Sequence, residues 1–204
     1  PTITYAWSDG SEGETYTISD ADPVGSEIVC TATATDGHDG TGTGTASATV
    51  TNAAPAIDTV TVTPESGQVG DVLTCSATAS DEDGDEPTIT YAWSDGSEGE
   101  TYTISDADPV GSEIVCTATA TDVYGETGIG TASATVTNTA PTIDTVTVTP
   151  ESGQVGDVLT CYATASDEDG DDELTITYAW SDGSEGETYT ISDADPVGSE
   201  IVCT

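Results

Sequence analysis

Over long stretches the chain alternates an apolar residue with a small polar one, the period-two pattern of a half-buried β-strand. Thr59–Val60–Thr61–Val62–Thr63 is alternating and β-branched. Leu73, Cys75, Ala77 and Ala79 then share one face, with Thr74, Ser76, Thr78 and Ser80 on the other. The same parity groups Ile89 with Tyr91 and Trp93, Tyr102 with Ile104, Ile114 with Cys116, Ala118 and Ala120, and Ala132 with Ala134 and Val136. Turn-rich stretches separate these runs, among them PESGQVGD at 64–71. Six short strands and no helical period predict an all-β sandwich.

The pattern is copied. PTITYAWSDGSEGETYTISDADPVGSEIVCTATATD begins at Pro1 and again at Pro87, and a third copy begins at Leu174, giving periods of 86 and 87 residues. The extra residue lies in an acidic loop, where DEDGDE becomes DEDGDDE. The first two copies differ mainly at one place, GHDG at 37–40 against VYGE at 123–126. The expected organisation is a partial domain over 1–54 without its first two strands, a complete domain over 55–140, and a partial domain over 141–204 without its last strand.

Cysteine placement sharpens the fold. Cys75 falls on the second strand of the complete unit, Trp93 on the third, and Cys116 on a later inward-facing strand, and the triple recurs as Cys161, Trp180 and Cys203. Cysteine, tryptophan and cysteine at inward positions are the mark of an immunoglobulin-like domain, in which an indole packs on an inter-sheet disulfide. Trp7 is the core tryptophan of the first copy, and Cys30 is expected to pair with a residue outside the chain. The competing reading is reduced, buried thiols. Disulfides imply an oxidising and hence extracellular compartment. Inward faces rich in alanine bury little area, so a cystine matters more here than in a leucine-rich core.

Charge narrows the partners. The 204 residues carry 39 Asp and Glu and no Lys or Arg, for a formal charge of −39. Nucleic acid is excluded, because phosphate binding needs cationic side chains. Cations are attracted, and self-repulsion implies a salty or calcium-rich medium. High charge also fits disorder, but three Trp, eight Tyr and sustained alternation argue against it. No apolar run has the length of a membrane helix, so no membrane insertion is expected in this segment.

The strings ATASDEDGD, TYAWSDG and EIVCTATATD, followed by a TNxAP linker, resemble bacterial extracellular tandem Ig-like repeats. They are similar also to the PKD and cadherin-like modules of surface adhesins and fibres. That resemblance implies sandwiches arrayed end to end on a bacterial cell surface, often with calcium at the junctions. The chain departs from those patterns in two places. Ile114 and Ile28 stand where a tyrosine corner would be, and the linkers carry neutral Asn52 and Asn138 rather than an acidic motif.

The acidic loops are the candidate metal site. Asp81, Asp83 and Asp85, and again Asp167, Asp169 and Asp171, place carboxylates at alternate positions around a glycine, a donor set for a hard cation such as calcium. Ala92 stands where an EF-hand would need its Glu. In an Ig-like domain this loop lies at the end near the incoming linker, with Asp122 beside it. The competing reading is a solvated acidic turn. Loops 94–100 and 106–111 are expected at the opposite end, facing the next acidic loop.

Catalysis finds no recurring constellation: the single His38 is replaced by Tyr124 in the next copy, so a Ser/His/Asp triad cannot repeat. Outward Thr and Ser read as ordinary strand residues, O-glycosylation or ice binding being the alternatives. The reading is therefore non-enzymatic: an extracellular stalk or filament formed by tandem array or self-association. The alternative is an adhesin module that binds glycan or another cell-surface ligand.

Overall fold

The computed structural model describes residues 1–170 and 173–204, all of them β-strand, turn or irregular chain. Strands run in the order β1 (Thr2–Trp7), β2 (Glu27–Thr35), β3 (Thr41–Thr49), β4 (Ala56–Thr63), β5 (Ser66–Gly67), β6 (Val72–Ser80), β7 (Thr88–Trp93), β8 (Thr101–Thr103), β9 (Glu113–Thr121), β10 (Thr127–Val136), β11 (Thr142–Thr149), β12 (Val158–Ser166) and β13 (Thr188–Thr190). Four sheets result, ordered β1-β2-β3, β5-β10-β9-β7, β4-β6-β8 and β11-β12-β13. The chain divides into two compact units, Pro1–Glu65 with Leu73–Tyr102 and Ile114–Ala134, and Ser66–Val72 with Thr103–Glu113 and Thr135–Thr204.

Within the first unit, alternation becomes burial. Along β6 Leu73 and Cys75 are buried, and Ala77 and Ala79 half-buried, between exposed Thr74, Ser76, Thr78 and Ser80. Along β9 Ile114, Cys116, Ala118 and Ala120 are all buried. The two faces meet at a disulfide between Cys75 and Cys116, with a Cα separation of 6.3 Å. Trp93 lies directly across from Cys116 in the antiparallel β7–β9 register and is only 4% exposed. Its indole N–H donates to the Gly99 carbonyl at 3.0 Å, and its ring packs on Tyr102 with centroids 5.4 Å apart. An aromatic edge is thus satisfied inside an alanine-rich core.

A second link joins the same two sheets. The backbone N–H of Ala77 on β6 donates to the Tyr91 hydroxyl on β7 at 3.1 Å. Close approach of the layers also needs glycine: a Cβ at Gly130 would meet Ile57 and Val60 at 2.7 and 2.8 Å, and one at Gly128 would strike the Pro55 carbonyl. On the outer face Thr59 and Thr78 share a hydrogen bond of 2.7 Å across β4 and β6, the cross-strand pairing expected of exposed threonines.

The sheet β1-β2-β3 repeats the β7–β9–β10 part of the fold, with Trp7 opposite Cys30. Among the described residues no second sheet faces it. Trp7 is accordingly half-buried rather than buried, β3 is exposed along its length, and Cys30 is a free, half-buried thiol. The core placement expected of Trp93 and Trp180 is therefore only partial for Trp7.

In the second unit β11, β12 and β13 carry a core of Leu159, Cys161, Trp180 and Tyr189. Cys161 and Cys203 form the second disulfide, and Trp180 sits across from Cys203 in an isolated bridge. A groove of about 1050 Å³ runs past Val148, Leu159, Ile191 and Val202. One element there differs from expectation. Ser66–Gly67, inside the stretch read as a turn, is a two-residue strand that pairs in parallel with Thr135 and Val136. Pro64 lacks an N–H and cannot extend β4, so the chain leaves that ladder and joins the other. Gly67 has no room for a side chain, since a Cβ would meet Ile104 at 3.0 Å.

Replacing Cys75 and Cys116 together by alanine frees a closure of 41 residues and is expected to cost about 4 kcal/mol. Urea unfolding of the full chain, oxidised against variant, reads this directly. Trp93→Ala, which empties the site under the cystine, is expected to cost about 3 to 5 kcal/mol in the same assay.

Candidate functional site

The acidic loop follows β6 and the interstrand loop carrying Asp122 follows β9, so both emerge where the linker at 51–55 enters. Asp81 organises its own loop: its Oδ1 accepts the backbone N–H of Asp83 at 2.8 Å. Asp83 turns outward to the linker, its Oδ2 accepting the Ala53 N–H at 2.6 Å. Gly84 has φ +83°, which an L side chain rarely adopts, and its Cα faces the Asp20 side chain of the preceding copy.

Asp122 is 7% exposed and fully engaged. Its Oδ1 accepts the N–H groups of Tyr124 and Glu126 at 2.9 and 2.8 Å, and its Oδ2 accepts the Asn52 amide at 2.9 Å. Those donors, the Asn52 amide foremost, hold its carboxyl below the ordinary carboxylate range against the opposing effect of burial. Asn52 also donates to the Ala53 carbonyl at 2.9 Å. In sequence it is a neutral linker residue; in the fold it ties the linker to the loop after β9. An uncharged amide carries no signal of such a role until its neighbour across 70 residues is known.

Three acceptor oxygens at this junction are buried without a hydrogen-bond partner: Asp81 Oδ2, Asp85 Oδ2 and Asn52 Oδ1. The second junction repeats the arrangement. Thr139 N–H donates to Asp169 Oδ2 at 2.6 Å, and Asp169 N–H to Asp167 Oδ1 at 2.9 Å. Asp169 is 4% exposed, and its Oδ1, together with Asp167 Oδ2 and Thr139 Oγ1, lacks a partner. Gly170 faces Asp106 as Gly84 faces Asp20. Asp171 lies outside the described residues.

A buried carboxylate oxygen without a donor is costly, and no Lys or Arg exists in the chain to pair it. The donors are all oxygen, which suits a hard cation of the calcium type, a class that also accepts carbonyl and amide oxygens. Among the described residues, however, no three His, Cys, Asp or Glu side chains stand close enough together to form a metal centre on their own.

No family model matches the chain, and no curated protein matches it. Solved structures do resemble it. An amphioxus IgVJ-C2 molecule aligns at 19% identity, covering 66% of this chain and 88% of that one, with a TM-score of 0.33. A tetra-tandem repeat from the extending region of a large adhesion protein aligns at 17%, covering 98% and 57%, with a TM-score of 0.32. Extracellular cadherin domains 3–6 of protocadherin gamma B2 align at 13%, covering 87% and 50%, with a TM-score of 0.34. The chain thus spans little more than half of the adhesion-protein fragment and half of the protocadherin one. At these scores the Ig-like assignment rests on the strand order and disulfides of the chain itself. No helix among the described residues is long and apolar enough to cross a membrane.

Because Asp122 binds protons less readily when folded, its contribution to stability is present above the ordinary carboxylate pKa and is lost as pH falls through the folded one. Asp122→Ala is therefore expected to melt below the parent at neutral pH, with the gap closing on acidification. Calorimetric melts of both proteins in chelator across a pH series check it; a gap that stays constant to low pH would contradict the assignment.

Proposed function

We propose that this chain is a segment of an extracellular structural array, a stalk or filament of near-identical Ig-like repeats in which a calcium ion sits at each linker. One observation carries the reading: two successive junctions use the same linker-to-carboxylate bond, Ala53 to Asp83 and Thr139 to Asp169, and each leaves buried oxygens unpaired. A repeated contact of this kind defines the linker geometry rather than leaving it slack, which is what a spacer requires. Asp81, Asp85 and Asn52 would hold the ion at the first junction, and Asp167 and Asp169 at the second, with Asp83 and Asp122 positioning the linker. Water and main-chain carbonyls would complete the shell, since calcium takes about six to eight oxygens. Bound, the ion would neutralise part of the local charge and join the linker to the loop. The two disulfides fit secretion into an oxidising medium.

The alternative, an adhesin module that binds glycan, has one observation in its favour. Val123, Tyr124 and Ile129 are exposed apolar residues placed where the first two copies differ, Gly37, His38 and Thr43 standing in the first. A glycan array probed with the parent and with Tyr124→Ala separates the readings, since the structural role predicts no binding by either.

Calcium titration of the full chain is expected to give saturable heat and a raised melting temperature, both reversed by chelator. At a hundredfold excess over Kd the gain is about 2.7 kcal/mol. Sodium at matched ionic strength relieves bulk repulsion alone and is expected to shift the melt without saturating. Asp81→Asn with Asp85→Asn is expected to remove one of two equivalents. Heat that never saturates, with melts indifferent to chelator, overturns the proposal.

A further inference from the structure

Three peptide bonds in this chain join aspartate to proline, Asp22–Pro23, Asp108–Pro109 and Asp195–Pro196, one in each copy of SDADPVG. Such a bond is weak in acid. Its leaving nitrogen belongs to a tertiary amide and is more basic than an ordinary peptide nitrogen, and the aspartate carboxyl can close a five-membered ring on its own main-chain carbonyl. A carboxyl oxygen bonds to that carbonyl carbon, the proline nitrogen takes a proton from solvent, and the C–N bond breaks with its electron pair going to nitrogen. Water then opens the cyclic anhydride, leaving a C-terminal aspartic acid and an N-terminal proline.

At Asp22 and Asp195 the fold engages both oxygens of the nucleophile. Asp195 Oδ1 accepts the Tyr189 hydroxyl at 2.8 Å, and its Oδ2 accepts the Ser192 N–H and hydroxyl at 2.7 and 3.0 Å. Asp22 is held likewise by Tyr16 at 2.7 Å and by Ser19 at 3.0 and 3.4 Å. Asp108 Oδ2 accepts the Ser105 N–H and hydroxyl at 2.8 and 3.0 Å. Each carboxylate is hydrogen-bonded to the serine three residues earlier. The bonds themselves lie at the surface: Pro23, Pro109 and Pro196 are exposed.

We propose that these three bonds are periodic scission points, at which acid cuts the chain once per repeat, and that the donors on each carboxylate, the serine three residues earlier among them, are the lock. Acid acts on both parts. It supplies the proton that the proline nitrogen needs, and it weakens the carboxylate as an acceptor so that the side chain is released. Of the charged neighbours, Asp9 favours protonation of Asp22, and Asp195 favours protonation of Asp182. The donors oppose it: the Ser19 and Ser192 N–H groups and the tyrosines hold Asp22 and Asp195 below the ordinary range, while the carboxylate pushes Tyr16 up to about 12. The lock therefore opens at a lower pH than a free aspartate would titrate.

The test is acid incubation of the full chain, in buffer where the folded circular-dichroism spectrum persists, with fragments read by intact mass after reduction, since the Cys75–Cys116 and Cys161–Cys203 disulfides span the second and third bonds. Parent protein is expected to yield fragments that begin at Pro23, Pro109 and Pro196, each bond slower than in urea-unfolded chain. Tyr189→Phe is expected to speed the cut at Asp195–Pro196 about tenfold relative to Asp108–Pro109 in the same molecule, from the loss of one charged hydrogen bond, and urea is expected to erase that ratio. Asp195→Glu, which cannot close the same ring, is expected to lose the third cut alone. Cleavage spread over other aspartates, a ratio unmoved by Tyr189→Phe, or a ratio that survives in urea overturns the proposal.

Discussion

Two β-sheets with alanine on their inner faces have little apolar area to hold them together, and the cystine between Cys75 and Cys116 is the constraint that makes the pairing stable. Beside the Cys75–Cys116 cystine the buried core holds few large aliphatic residues, among them Leu73, Val62 and Ile114. Small residues let the sheets approach closely, as the space around Gly128 and Gly130 shows, but each buries little surface. Trp93 supplies the one large buried ring in that layer and is held in register opposite Cys116. Crosslink, indole and the Tyr91 hydroxyl bond to Ala77 form one column through the sandwich. The same column stands around Cys161, Trp180 and Tyr178, whose hydroxyl accepts the Ala163 N–H at 3.3 Å.

Charge works in the opposite direction and explains the character of the junctions. With no Lys or Arg in the sequence, the carboxylates depend on N–H or O–H donors, water or a metal ion. Asp9, Asp95 and Asp182 find them within their own turns, where Ser11, Ser97 and Ser184 lower their pKa. Asp83, Asp122 and Asp169 find them on the linkers. The surplus is what remains buried and unpaired, and it collects where one copy meets the next. A site that answers a charge imbalance built into the whole sequence recurs with the repeat.

The strands were legible because alternation, β-branching and turn residues agreed with one another, and the Cys75–Trp93–Cys116 spacing placed three inward positions on separate strands. Ser66–Gly67 was not legible: two small residues between Pro64 and Gly70 carry no period, and only the ladder partner at Thr135 and Val136 makes them a strand. At the junctions, the carboxylates could be named from the DEDGD string, but the partners could not. Asn52 reaches Asp122 across 70 residues of chain, and the tyrosines that clamp Asp22 and Asp195 pair through side chains whose direction no sequence pattern reports. Trp7 has the same local sequence as Trp93 and differs only in what faces it.

Peptide mapping of the unreduced chain is the most direct measurement of this arrangement. Because the protein lacks Lys and Arg, chymotrypsin or a glutamyl protease must replace trypsin, with free thiols alkylated beforehand. The account predicts linked peptides that contain Cys75 with Cys116 and Cys161 with Cys203, and the alkyl label on Cys30. A link from Cys75 to Cys161, or label recovered on Cys75 and Cys116, would contradict the clamped sandwich and everything built upon it.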